Sequence, residues 1–159
     1  MSTHHPVRVI DVRLDAEPEV LRASRKLVAA AARAMGASRV AAFDLEIALG
    51  EALANAYDHA YGSAGRGRIR IRLAFDGGGL ITTVTDMGGR LRSRPRIPHQ
   101  VPLRNRRGRG LFLMSRLMDD LEVIHPVRDG RGTAVRMMKR LRPRWPPAER
   151  SSATRSSGP

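Results

Sequence analysis

Between Ser38 and about Tyr61 the chain carries Val40, Phe43, Leu45, Ile47, Leu49, Leu53 and a series of alanines at helical spacing, with little polar surface left over. A helix of that kind has to be buried over most of its circumference, with Ser38 placed to cap its start. A suitable partner surface follows directly. From position 68 the period changes from 3.6 to two: Ile69, Ile71, Leu73 and Phe75 alternate with Arg68, Arg70 and Arg72, as in a strand with one core face and one solvated face. Asp76-Gly-Gly-Gly79 turns the chain, and Leu80 to Thr85 returns as the second strand of a hairpin.

The flanking segments complete a pattern. Val7 to Leu14 reads as a strand with one covered face. Asp15 is placed to cap the next helix and Pro18 suits its first turn, with Val20, Leu21, Leu27, Val28, Ala31 and Met35 at helical spacing until Gly36 stops the run. Residues 87–107 contain three prolines, seven arginines and no acid, without periodicity, and read as a long loop. After Gly108-Arg-Gly110, the residues Leu111, Met114, Leu117 and Met118 mark a short helix, and Leu121 to His125 and Thr133 to Met138 are strand candidates. The order β-α-α-β-β-loop-α-β-β predicts an α+β two-layer sandwich, a mixed β-sheet with helices on one face. The folded domain is expected over residues 7–142, after a short extension at 1–6 and before a disordered Arg/Pro/Ser-rich tail at 143–159.

Composition bounds the function. The 159 residues suit one domain, and no apolar run is long enough to span a membrane or serve as a signal peptide, so a soluble cytoplasmic protein is expected. Without cysteine there is no disulfide, thiol nucleophile or cysteine-ligated metal. The net charge of +14 is concentrated in residues 87–107 and 139–159. Such an excess suggests nucleic acid or an acidic protein as partner, or simply arginine-rich usage. Direct nucleic-acid binding is disfavoured: one Trp, two Tyr and three Phe leave few stacking platforms, and no helix-turn-helix or RNA-binding signature is present.

Three segments carry candidate chemistry. Asp44, Glu51, Asn55 and Asp58 fall within a stripe of roughly 60° on the apolar helix, either lining a ligand cavity or forming a solvated edge. Val84-Thr-Asp86-Met-Gly88-Gly89 puts an acid at a strand end beside glycines that let a ligand come close. Gly108-Arg-Gly110 opens a helix whose free N–H groups, flanked by Arg106, Arg107 and Arg109, suit a phosphate.

Taken in order, Glu51-Ala-Leu-Ala-Asn55-Ala-Tyr-Asp-His59-Ala-Tyr61, Val84-Thr-Asp86-Met-Gly88, Gly108-Arg-Gly110-Leu-Phe-Leu-Met114 and Gly132-Thr133-Ala-Val135 resemble the N, G1 and G2 boxes and terminal strand of the GHKL ATPase superfamily. Within it the likeness is to the bacterial anti-sigma factors with serine-protein kinase activity, the RsbW-like or SpoIIAB-like branch, over about residues 7–140. The resemblance implies the ATP-binding fold of that superfamily, with ATP and Mg²⁺ as cofactors and residues 87–107 as an ATP lid. It implies Asn55 as the Mg²⁺ ligand, Glu51 as the base toward a serine hydroxyl, and Asp86 as acceptor for the adenine amino group. Gly88 would admit the base, Thr133 would add a hydroxyl beneath it, and Gly108, Arg109 and Gly110 would wrap the phosphates with Arg106 at the γ-phosphate. His59 ends the first box and is assigned a packing role. Implied partners are a sigma factor and a STAS-type anti-anti-sigma factor, with the chain as a homodimer. Arg90 departs from the pattern, standing where the first glycine box commonly has a second glycine; it either obstructs the nucleotide or adds a phosphate contact. The alternative function is therefore a regulatory protein-binding module without phosphotransfer.

Overall fold

A computed structural model describes residues 8–61, 67–75, 78–88, 95–100, 108–129 and 131–141. Strand β1 (Arg8–Asp15) is followed by helices α1 (Pro18–Ala34) and α2 (Arg39–Ala56). A π-helical turn, Tyr57–Tyr61, extends α2. Then come β2 (Arg68–Phe75), β3 (Gly79–Asp86), α3 (Arg109–Leu117), β4 (Asp120–Ile124) and β5 (Thr133–Arg140). Most of the loop expected at 87–107 and all of the tail expected at 143–159 lie outside the described residues.

The two-layer α+β arrangement is as expected, with one correction to the sheet. Its strand order is β1-β2-β3-β5-β4, and every described pairing is antiparallel, so the sheet is not mixed. The reason is topological: β3 and β4 run in the same direction, joined across α3, but β5 inserts between them after a short turn and pairs antiparallel with both.

Register turns the period-two pattern into a core. Val12, Ile71, Val84, Val135 and Val123 stand in one row across all five strands on the helix-facing side. Against these rows pack Leu45, Leu49 and Leu53 of α2 and Met114 of α3, all at most 2% exposed. The next row, Ile10, Leu73, Thr82, Met137 and Leu121, contains a polar member. Thr82 is fully buried and its hydroxyl has no hydrogen-bond partner among the described residues. Thr82→Val, of nearly equal volume, is therefore expected to stabilise the protein by about 1 kcal/mol in urea unfolding, because it removes an uncompensated buried hydroxyl.

On the opposite face Asp11, Arg72, Thr83, Arg136 and Glu122 form a polar row. Asp11 accepts from Nε of Arg70 at 2.8 Å and from its Nη2, which holds the carboxyl below its usual range. A carboxyl depressed on folding stabilises above its unfolded pKa and loses that contribution as pH falls through the carboxylate range. Asp11→Asn is accordingly expected to cost a little stability at neutral pH and nothing in strong acid, measured by denaturant unfolding at both; solvent exposure keeps the effect small.

Local signals are partly displaced. Helix α1 starts with Glu17 at its N-cap and without a side-chain cap, while Asp15 remains in β1. Pro18 occupies the first turn as expected. Ser38 does cap α2, its Oγ accepting from Ala41 N at 3.1 Å. Burial of α2 is one-sided: Val40 and Phe43, read as part of its buried surface, are 70% and 61% exposed.

Candidate functional site

The C-terminal end of β3, the second half of α2 and the start of α3 meet at one end of the sheet. Asp86 closes β3 on the core side, 6% exposed, in register with Ile69 on one flank and Thr133 on the other. Its Oδ1 accepts from the N–H of Gly88 at 3.1 Å, which turns the chain away from the sheet immediately after the strand. A buried carboxylate at a strand end beside a half-buried glycine is poised to accept from a planar ligand that slides over the backbone.

On α2, Glu51 and Asn55 are half-buried and one helical turn apart. Helix α3 begins against them. A methyl group at position 110 would stand 2.7 Å from Glu51 Oε2 and 3.5 and 3.6 Å from the Nδ2 and Oδ1 of Asn55, so a side chain there would push the Glu51 carboxylate aside, and glycine lets the first turn of α3 lie against it undisturbed. Gly108 is the N-cap of α3 in left-handed conformation, and its carbonyl accepts from Phe112 N at 2.9 Å. The first N–H groups of α3 thus open beside a carboxylate and an amide.

Of the residues expected to act together, Glu51, Asn55 and Gly110 are in direct proximity, and Asp86, Gly88 and Thr133 form a second group at the strand ends. Arg109 is the first residue of α3 and is exposed. Arg106 and Arg90 lie outside the described residues, and for His59 only the backbone, in the π-helical turn, is described.

The acidic stripe read from α2 divides. Asp58 is exposed, and Asp44 is drawn to the far end of the molecule, where Lys139 Nζ reaches its Oδ2 at 2.8 Å and the carbonyl of Leu117 at 2.6 Å. That ion pair ties α2, α3 and β5 together beside a groove of about 640 Å³ lined by Val40, Asp119 and Leu141 among others. Seven residues of helix separate Asp44 from Glu51, about 10 Å of rise.

Two residues of the site end were not singled out by sequence reasoning. Tyr61 donates to the carbonyl of Arg68 at 2.6 Å and accepts from Met87 N at 3.4 Å, fastening the end of the α2 extension to the strand ends around Asp86. His125, just past β4, places Nδ1 2.8 Å from the carbonyl of Gly132 and 3.3 Å from Thr133 Oγ1. No local pattern signals these contacts, since each joins residues at least seven positions apart.

The sequence profile of the family described as "Histidine kinase-like ATPase domain" matches residues 14–139. This chain belongs to that family. The match spans every element of this histidine kinase-like ATPase from the end of β1 to the end of β5 and so includes both residue groups of the site. It is similar to the serine-protein kinase RsbW of Bacillus velezensis, 32% identical over 149 residues and 89% of either chain. Similarity to the serine-protein kinase RsbW of Bacillus subtilis is 31% over 140 residues, 83% of this chain and 85% of the relative. Among solved structures, the RsbU and RsbW domains of a Mycobacterium tuberculosis protein superpose with a TM-score of 0.63 at 23% identity. That superposition covers 86% of this chain and 33% of the other, and shows a shared fold.

The residues present suit a magnesium nucleotide. Glycine at 110 leaves room where a side chain would fill the space against Glu51 and Asn55, and the Asn55 amide oxygen is a hard donor of the kind Mg²⁺ takes. Among the described residues no cluster of three or more His, Cys, Asp or Glu side chains could hold a metal unaided. An ion with one protein ligand draws its remaining donors from phosphates and water. No helix among the described residues is long and apolar enough to cross a membrane.

Proposed function

We propose that this chain is an ATP-dependent protein serine kinase and anti-sigma factor that sequesters a sigma factor and phosphorylates a STAS-type anti-anti-sigma partner, acting as a homodimer in the cytoplasm. The observation that carries the reading is the approach of Gly110 to Glu51 and Asn55, which sets a phosphate-binding helix start against a carboxylate and a hard oxygen donor. Its family membership and its likeness to the RsbW serine-protein kinases support the same reading.

In this reading each residue has a chemical task. Asp86, held by Gly88 N–H, accepts from the adenine amino group, and Thr133 adds its hydroxyl to the same edge. Gly108 and Gly110 offer backbone N–H groups to the phosphates, with Arg109 and Arg106 as cationic neighbours. Asn55 holds Mg²⁺, whose charge offsets that of the phosphates. Glu51 orients the incoming serine hydroxyl and takes its proton, since phosphoryl transfer asks of the protein mainly positioning and charge stabilisation.

Calorimetric titration of Mg-ATP into the purified protein tests the nucleotide site. Magnesium-dependent binding, with the magnesium dependence lost in Asn55→Ala while the fold is retained, is the expected result. Absence of binding to folded wild-type protein would overturn the nucleotide site, and the chain would then be a nucleotide-independent binding module. Labelled phosphate appearing on serine of a STAS-type partner tests the second half of the proposal.

A further inference from the structure

Thr133 faces the core side of the sheet opposite Asp86, and its hydroxyl is within reach of one neighbouring ring nitrogen, Nδ1 of His125. That nitrogen is closer still to the Gly132 carbonyl, at 2.8 Å. A carbonyl oxygen only accepts, so Nδ1 must carry the proton. An imidazole Nδ1–H shared between the Gly132 carbonyl and Thr133 Oγ1 makes the threonine oxygen an acceptor on the His125 side. The hydroxyl hydrogen is thereby turned away from His125, and toward a ligand Thr133 is left as a donor.

We propose that His125 is a specificity-determining positioning residue: by fixing Thr133 as a donor beside the acceptor Asp86, it makes the pocket select a purine with an acceptor at N1 and an amino donor at position 6. This rests on the proposed placement of a nucleotide base at Asp86 and Thr133. Adenine presents that pair. Hypoxanthine presents the reverse, an N1–H donor and a 6-oxo acceptor, while ribose, phosphates and ring shape are unchanged. Against hypoxanthine, Asp86 meets an oxygen and the Thr133 hydrogen meets N1–H. A wrong pairing at a dry site leaves polar groups unpaired and is costly.

Without the His125 ring, the Thr133 hydroxyl is free to rotate and accept from N1–H. The effect should therefore appear as a gain in affinity for the wrong nucleotide more than a loss for the right one. A structural role alone would weaken both equally.

The experiment compares Mg-ATP and Mg-inosine triphosphate by calorimetry for wild type, His125→Ala and His125→Asn, each shown to be folded by circular dichroism. Wild type should prefer ATP. His125→Ala should lower the preference about tenfold, the equivalent of one hydrogen bond, and His125→Asn, whose amide N–H sits near the place of Nδ1–H, should retain it. In Thr133→Val the His125→Ala change should have no further effect on selectivity. An independent readout needs no nucleotide: ¹⁵N NMR of the ligand-free protein should show a proton on Nδ1 of His125. An unchanged preference in His125→Ala, or a proton on Nε2 alone, overturns the inference while leaving ATP binding intact. Failure of wild type to bind either nucleotide overturns the function proposed above and this inference with it.

Discussion

Glu51→Gln is expected to lower phosphotransfer to a serine substrate by about 10²- to 10⁴-fold with Mg-ATP affinity nearly unchanged, measured by labelled-phosphate transfer alongside calorimetry. Glutamine keeps the length and planarity of the side chain, so the close packing of Oε2 against Gly110 is preserved. It removes the negative charge and with it the ability to accept a proton. The half-buried position on α2 leaves the group accessible to a partner hydroxyl while α3 holds it in place. A loss of nucleotide affinity as large as the loss of rate would contradict the assignment, since Glu51 would then be a binding group and not the base. Glu51→Asp, which retracts the carboxylate by one methylene, should recover part of the rate if proton acceptance is the role.

Gly132→Ala is expected to destabilise the protein by about 2–4 kcal/mol, the sum of left-handed backbone strain and a steric collision. Gly132 has φ +76°, and a Cβ there would lie 2.6 Å from the carbonyl oxygen of Asp86 and 3.4 Å from the Cα of Met87. The colliding atom is backbone, so no rotamer change relieves it. The collision also moves Asp86, so ATP affinity should fall together with stability. Thermal unfolding should show a drop of roughly 5–15 °C. A shift within about 2 °C would mean that the start of β5 is displaced easily and that Asp86 is not held from this side.

Both predictions draw on contacts of different legibility. Glu51 and Asn55, four residues apart on a helix, were visible as a pair, and Gly108 and Gly110 were visible as a helix start. That Gly110 sits directly against Glu51 was not, because it joins residues 59 positions apart through the packing of α3 on α2. Asp44 was read on the same stripe as Glu51, yet it pairs with Lys139, a residue at the end of β5 whose partner depends on the register of the sheet. Val40 and Phe43 looked like core residues because α2 is apolar on every side; which side remains open depends on where α1 and α3 leave it uncovered. His125 gave no signal, since an isolated imidazole has no spacing to read, and Tyr61, although it closes the first box, gave none for its contacts with Arg68 and Met87.

The sequence by itself determined the succession of elements, the one-sided strands and the ordered boxes that mark the family, because hydrophobic period, turn glycines and caps act over a few neighbouring residues. Tertiary structure alone decided that every described strand pairing is antiparallel, that Asp44 pairs with Lys139, and that His125 lies beside the hydroxyl of Thr133. Those outcomes follow from how distant segments pair and pack, and pairing energy depends on register and burial that local sequence does not encode.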